Sequence, residues 1–448
     1  MQEEITGGGT PGPITIIGAG LAGSEAAFQL ARRGVPVRLL EMRPIQSTPV
    51  HHTDLPGELV CSNSLGSITP GSAPGQLKNE MSLLGSLVME AAAAARVPAG
   101  QALAVDREKF SLHILDRLQS FKNLEIVREE ACCIPTEGTV IIATGPLTSP
   151  ALAASLARMM GREHLFFFDA VSPIVMAESL DMSRVFAASR YGRGTPDYLN
   201  CPMTGEQYAA FYHELVNAEK ADPEGFEEGH FFQGCMPVEE LARMGEKTLL
   251  FGPLKPVGLD DNAQAVVQLR RENREGTMYS LVGFQTRLRW GEQKRVFRMI
   301  PGLEKAEFAR YGVMHRNIYV DSPRVLAPTL QMKSNPCIFL AGQITGVEGY
   351  TESAAMGLAA GMFAAARHHG TPVEPFPRET AIGSLIHYIT GEETGDFQPM
   401  NINFGILPPS AGRGSKKDRR LKVIAGAEEA LKAWSVRWPV FSGQWSVL

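Results

Sequence analysis

The stretch from residue 13 to residue 43, PITIIGAGLAGSEAAFQLARRGVPVRLLEMR, constrains this chain more than any other. Ile14–Ile17 is a short β-branched run, as a strand buried in a parallel sheet requires. Gly18, Gly20 and Gly23 follow in a G-x-G-x-x-G pattern. Ser24–Arg33 is Ala-rich and made of good helix formers, and Gly34 stands where such a helix would end. Val35–Leu40 reads as a second strand, closed by Glu41. Gly18 permits the tight turn, Gly20 lets the backbone approach a pyrophosphate, and Gly23 lets helix and strand pack closely. The helix N-terminus offers N–H groups and a positive dipole end to phosphates. Glu41 accepts hydrogen bonds from a ribose 2′-OH and repels a phosphate there. The spacing predicts a dinucleotide-binding unit contacted by Gly18, Ala19, Gly20, Ala22, Gly23, Glu41 and Arg43.

Two later segments select the dinucleotide. Thr139–Pro146, TVIIATGP, is an apolar strand ending in Ala-Thr-Gly, as large flavoproteins carry after the first βαβ unit. Pro336–Ala366, PCIFLAGQITGVEGYTESAAMGLAAGMFAAA, holds a strand at Ile338–Ala341 and a turn at Gly342, Gly346 and Gly349. A helix follows, with Gly357 and Gly361 spaced for close packing. A helix N-terminus of this kind stabilises negative charge on reduced flavin. FAD is the expected cofactor, with Gly342, Gln343, Gly346, Gly349 and Tyr350 added to its site. No second complete G-x-G-x-x-G unit is present, so NAD(P)H would visit the flavin without a Rossmann domain of its own.

The fold class expected is α/β: a Rossmann-type FAD-binding domain, discontinuous over residues 13–175 and 325–448, with an inserted α+β domain at 176–324. The insertion is expected to be rich in turns and strands, including 247–259, 265–273 and 278–290. Ala91–Ala95, behind an apolar stripe of Met81, Leu84, Leu87 and Val88, reads as a packed helix without chemistry. The first thirteen residues read as a flexible tail lacking signal-peptide features. No apolar run is long enough to span a bilayer. Six cysteines, at 61, 132, 133, 201, 235 and 337, form neither a Cys-x-x-Cys pair nor a zinc-spaced cluster, so reduced thiols in the cytoplasm and no metal are expected. Net charge is −5, so any nucleic-acid surface must be local.

Longer motifs add a resemblance. LVCSNSL (59–65), VPAGQALAVDREKFS (97–111), RYGRGTPDYLNCPMT (190–204), LLFGPLKPVGL (249–259), YGVMHRN (311–317), LAGQITGVEGYTESAA (340–355) and FQPMNINFGILPP (397–409) resemble the TrmFO family. These are the folate- and FAD-dependent tRNA (uracil-5-)-methyltransferases. The resemblance runs from about residue 14 to about residue 420. It implies methylation of C5 of the T-loop uridine at position 54 of tRNA. The one-carbon donor would be 5,10-methylenetetrahydrofolate, with FAD as carrier and NAD(P)H as reductant. The related GidA/MnmG family shares the FAD domain but has longer chains with a C-terminal helical domain. Wobble-uridine modification of the GidA kind, a small-molecule flavin oxidoreductase and a non-catalytic tRNA-binding flavoprotein are the alternatives.

C5 of uracil is a poor nucleophile until a thiolate adds at C6. The resemblance favours Cys235, in FFQGCMPVEE, as that thiolate, with Cys61 as a flavin-side partner or the two roles exchanged. Cys132, Cys133 and Cys337 read as structural, and Cys201 is not expected to react. Glu352, Tyr350, His315 and Glu348 are candidates for the base that removes the C5 proton, and His315 is alternatively a folate contact. Two basic clusters are candidate tRNA contacts: Arg287 and Arg289 beside Trp290, which could stack a base, and Arg413, Lys416 and Lys417 near the C-terminus. The Trp-rich end (Trp434, Trp438, Trp445) either packs on the domain or adds a contact.

Overall fold

The computed structural model describes residues 12–48, 50–161, 167–170, 172–221, 236–271, 276–312, 314–391, 397, 399–409 and 415–437, with backbone alone for 167–170, 314–317 and 416. Most of the expected N-terminal tail, along with Cys235, Arg413, Trp438 and Trp445, lies outside these residues. The chain divides into two compact units: residues 1–47, 115–164 and 320–448 form one, and 48–114 and 165–319 the other.

The first unit is built on a five-stranded parallel sheet. Its strands are β1 (Ile14–Ile17), β2 (Val37–Glu41), β3 (Leu124–Arg128), β4 (Val140–Ile142) and β5 (Ile338–Leu340), in the order β5-β4-β1-β2-β3. Ile16 pairs with Leu39 on one side and Ile141 on the other. The short apolar strands are buried, as a parallel sheet covered on its faces demands.

Helix α1 (Leu21–Ala31) follows β1, and α2 (Tyr350–His368) follows β5. Every residue of α1 is buried, and so are Thr351–Ala366 of α2. Their contact is closer than Ala-sized side chains allow. A Cβ on Gly357 would lie 2.2 Å from the Ala22 carbonyl oxygen, and one on Gly361 2.8 Å from that of Ala26. The i, i+4 spacing of these glycines puts both on the face that meets α1. Helix α3 (Ala381–Thr390) and helix α4 (Lys416–Arg437) belong to the same unit, as does the helix Pro150–Met160. Trp434 is fully buried and stacks on Phe376 at 4.2 Å, so this tryptophan packs α4 onto its own unit.

The second unit holds a six-stranded sheet in the order Phe186–Ala187, Leu199–Met203, Ala265–Arg271, Met278–Leu281, Ile174–Met176 and Phe308–Arg310. All its pairings are antiparallel, and Phe211, Phe284 and Phe297 form the aromatic centre of its core. A three-stranded sheet, Ser64–Ser67, Ala102–Val105 and Arg96–Val97, belongs to the same unit.

Three sequence expectations change here. Residues 48–114 group with 165–319 instead of with the dinucleotide unit. The apolar stripe of Met81, Leu84, Leu87 and Val88 spans two helices, Ala73–Leu83 and Leu87–Ala94, because Gly85 between them has φ +70°. The run at 247–259 is a short helix, Glu246–Phe251, followed by turns. Leu249 alone in that helix is buried, a helical burial pattern in place of strand alternation.

Candidate functional site

The dinucleotide site begins with a glycine turn whose three residues answer to different constraints. Gly18 has φ +98°, and a Cβ on it would strike the Ala143 carbonyl oxygen at 2.8 Å. A Cβ on Gly23 would lie 1.8 Å from the Gly18 carbonyl oxygen, so only glycine lets α1 start this close to the turn. Gly20 is the N-cap of α1 in extended backbone, with no side-chain cap, and a Cβ there would meet nothing within 4 Å. Its glycine is needed by neither packing nor φ. The open space in front of it, at an uncapped helix N-terminus, fits a pyrophosphate.

At the end of β2, Glu41 is 4% exposed and uses both carboxylate oxygens. Its Oε2 accepts the Ala19 N–H at 3.0 Å. Its Oε1 accepts both the Arg43 N–H at 3.0 Å and Arg43 Nε at 2.7 Å. Burial pushes the Glu41 pKa up, but the bonds and charge of Arg43 and the Ala19 N–H outweigh it and hold the carboxyl below its ordinary range. The Arg43 carbonyl accepts from Arg128 Nη1 at 3.1 Å, tying this corner to β3. Glu41 is therefore an ionised, fixed acceptor at the tip of β2, as a ribose contact requires.

The late turn lies in the same unit. Gly342 has φ +84° and would meet Ala22 Cβ at 2.8 Å, while Gly346 is left-handed and faces the Phe397 ring. Gly349, at φ +108°, caps α2 without a side-chain bond. Gln343 Nε2 reaches Glu348 Oε2 at 3.4 Å, and Glu352 Oε1 accepts the Ile402 N–H at 3.2 Å. Phe397 lies against Gly346, and Met400 is joined to Gly346 and Glu348 through backbone. Two uncapped helix N-termini, α1 and α2, thus arise from strands on the same side of β2, and these residues fit FAD. Tyr350 opens α2.

In the second unit, Cys61 lies in a loop of partial exposure. Its backbone is held by side chains from distant parts of the chain. Arg107 Nη1 donates to the carbonyls of Leu59 at 2.6 Å and Val60 at 3.3 Å. Arg310 Nη1 donates to the Val60 carbonyl at 2.7 Å, and its Nη2 makes longer contacts with the carbonyls of Cys61 and Ser172. Asn63, fully buried, donates to the carbonyls of Val105 and Arg271 and accepts from Arg270 Nε at 3.1 Å. Sequence reasoning missed Arg107, Arg310, Asn63 and Arg270 as positioning residues. Asn63 and Arg107 stand inside quoted motif blocks and Arg310 directly precedes one, yet nothing in the spacing says that they meet.

The remaining thiols are sorted by burial. Cys201 is fully buried in a strand, and burial drives its thiol far above the ordinary value. Cys132 and Cys133 are exposed, which corrects their reading as structural, since they lie in a segment without helix or strand. Cys337 Sγ accepts from Arg367 Nη2 at 3.2 Å. His315 stands in the strand Met314–Asn317, paired with Asp169.

The basic candidates separate as well. Arg287 is 5% exposed and paired with Glu240, and its N–H donates to Glu239 Oε1 at 2.7 Å; it lies inside the unit, off the solvent-facing surface expected of a phosphate contact. Arg289 is exposed and paired with exposed Glu219 at 2.9 Å. Lys417, Arg419, Arg420 and Lys422 are exposed in the first turns of α4, whose backbone also carries Lys416. The cations of the first turn, Lys416, Lys417 and Arg419, oppose the helix dipole, and Asp418 offsets part of that.

The family described as Glucose inhibited division protein A matches residues 13–372. Methylenetetrahydrofolate--tRNA-(uracil-5-)-methyltransferase TrmFO of Desulforudis audaxviator is 56% identical over 430 residues, covering 94% of this chain and 98% of that protein. The protein of the same name from Listeria monocytogenes is 54% identical, with 94% and 98% covered. The structure of Aquifex aeolicus GidA superposes with a TM-score of 0.69 at 18% identity, covering 96% of this chain and 74% of that one, a likeness of fold. With near-full-length identity to these relatives, and a dinucleotide turn intact in its geometry, the chain belongs to the TrmFO family, within the wider GidA family.

Proposed function

We propose that this protein methylates C5 of the T-loop uridine at position 54 of tRNA, taking the carbon from 5,10-methylenetetrahydrofolate with FAD as carrier. The observation that carries the reading is identity above 50% with TrmFO relatives along nearly the whole chain. Bound FAD, reduced by NAD(P)H, supplies both the one-carbon transfer and the two electrons that turn a methylene into a methyl group.

The chain's own residues hold the cofactor and prepare the base. The open space at Gly20 and the N-terminus of α1 would receive the pyrophosphate, and ionised Glu41 would receive the ribose hydroxyls. The N-terminus of α2, which begins at Gly349, would offer its positive dipole end to negative charge on bound flavin. The Cys235 thiolate would add to C6 of the uracil, making C5 a carbon nucleophile; once C5 has taken the methylene, a base would remove the C5 proton as the bond from that carbon to its carrier breaks, and the thiolate would leave C6 as two electrons complete the methyl group. Cys61 is the second reactive thiol, and its partly exposed, clamped loop suits a group that must stay in place. Glu352, Tyr350, Glu348 and His315 are the candidate bases. Arg289 and Lys417 are the described basic side chains that suit tRNA phosphates, with Arg413 and Lys416 beside the latter. Cations that oppose the α4 dipole cost stability in the free protein, and an anionic partner offsets that cost.

The test mixes purified protein with unmodified tRNA transcript, NADPH and methylenetetrahydrofolate labelled in its methylene carbon. Labelled 5-methyluridine in the T-loop, lost in Cys235→Ala, is the expected result. Label that survives Cys235→Ala moves the nucleophile to Cys61. Bound FAD and bound tRNA without label would sink the methylation reading in favour of wobble-uridine modification or a non-catalytic role.

A further inference from the structure

Three aromatic rings in the second unit form a continuous stack. Phe308 and Tyr311 lie 5.0 Å apart with planes 15° from parallel, and Tyr311 and Trp290 lie 5.5 Å apart at 13°. Trp290 ends the stack and is 63% exposed, so the ring face turned away from Tyr311 meets water. It is also the first residue of the helix Trp290–Phe297, whose buried side is Gln293, Val296 and Phe297. The buried side of the helix does not include the indole, which packs on Tyr311 while most of it stays exposed.

The surroundings are charged. Lys294 is exposed one helical turn on from Trp290, and Arg289 directly precedes it. The nearby carboxylates are already matched: Glu219 pairs with Arg289, and Glu292 with Arg295. Such exposed pairs are worth little in water, so Arg289 exchanges readily to a phosphate. The stack is also fixed relative to the Cys61 loop. Arg310, between Phe308 and Tyr311 in the chain, donates to the carbonyls of Val60 and Cys61.

We infer that Trp290, backed by Tyr311 and Phe308, is a stacking platform for a nucleobase of the RNA substrate. The inference rests on the tRNA reading above and adds the residue and the contact. A flat aromatic face accepts any base through its π-surface, and flanking cations hold the backbone on either side. Preassembly of three rings removes the ordering cost that a lone mobile indole would carry.

The test measures binding of an unmodified tRNA transcript to FAD-loaded protein without turnover, for wild type, Trp290→Ala and Trp290→Phe. Trp290→Ala is expected to weaken binding on the order of tenfold, the loss of one stacked base, with Trp290→Phe recovering most of it. Reduction of bound FAD by NADPH is expected to stay unchanged in both. Should Trp290→Ala fold poorly, wild type and Trp290→Phe still answer: tRNA is expected to quench an indole signal that Trp290→Phe lacks. Unaltered tRNA affinity in Trp290→Ala overturns the platform, as does a raised KM for methylenetetrahydrofolate with unaltered tRNA affinity, which would assign the ring to the pterin. Tight, Trp290-dependent tRNA binding without labelled 5-methyluridine leaves the platform standing and defeats the methylation reading alone.

Discussion

Arg310 Nη1 donates to the Val60 carbonyl at 2.7 Å, joining residues 250 positions apart in the chain. With Arg107 on Leu59 and Val60, it leaves three successive carbonyls before and at Cys61 in contact with guanidinium groups. Planar, multiply donating arginines fix such a loop where a lysine would supply one mobile point charge. Arg310→Gln is therefore expected to lower kcat/KM on the order of 100-fold, the cost of misplacing a reacting group by about 1 Å. Arg310→Lys should recover only part of that loss. FAD content and tRNA affinity measured beside the rates separate this from unfolding, since both should persist.

Gly20 and Gly357 make a contrasting pair. Gly20→Ala is expected to fold with wild-type stability, because the new methyl meets open space, and to bind FAD more weakly by about 1–3 kcal/mol, because the proposed pyrophosphate site occupies that space. Gly357→Ala places its methyl 2.2 Å from the Ala22 carbonyl oxygen and should destabilise the fold by about 1–3 kcal/mol or more. Denaturant melts of the apoprotein and flavin titrations check both; equal stabilities of the two variants would contradict the assignment.

Glu41 predicts a pH dependence. Its pKa is lower folded than unfolded, so its contribution to stability is complete above the unfolded value of about 4.3. That contribution is lost as pH falls below this value and through the folded pKa. Glu41→Gln should reduce stability at pH 7 and flatten the acid limb of a stability profile. Denaturation midpoints from pH 7 to pH 3 measure this, and parallel wild-type and variant profiles would count against it.

Thiol labelling offers a further check. In the native protein, Cys132 and Cys133 should alkylate readily, and Cys201 should stay unmodified until denaturant is added. Peptide mapping by mass spectrometry after short exposure to iodoacetamide reads the order directly. Early modification of Cys201 would mean that its strand opens under native conditions.

The dinucleotide unit was legible in the sequence because its information is local. Strand, glycine turn, helix and acid are contiguous, and Gly357 and Gly361 announce close packing by their spacing alone. The second unit was less legible because side-chain-to-backbone bonds between distant segments organise it. Asn63 holds the carbonyls of Val105 and Arg271, and Arg310 holds Val60, so residues 48–114 group with 165–319. Charge pattern misled at Arg287, whose neighbour in space is Glu240 rather than solvent. The helix Glu246–Phe251 escaped notice because it buries only Leu249 and leaves Phe251 81% exposed, a pattern too short for periodicity to register.

The order β5-β4-β1-β2-β3, with α2 lying on α1, also sets a timetable for synthesis. The nucleotide turn at Gly18–Gly23 leaves the ribosome well before the edge strand β5 and the helix that covers α1, which come more than 300 residues later. A nascent chain that ends before Tyr350 carries α1 with one face bare. Flavin capture by a complete site therefore waits until α2 has been made, and a chain truncated before α2 should be colourless and prone to aggregation.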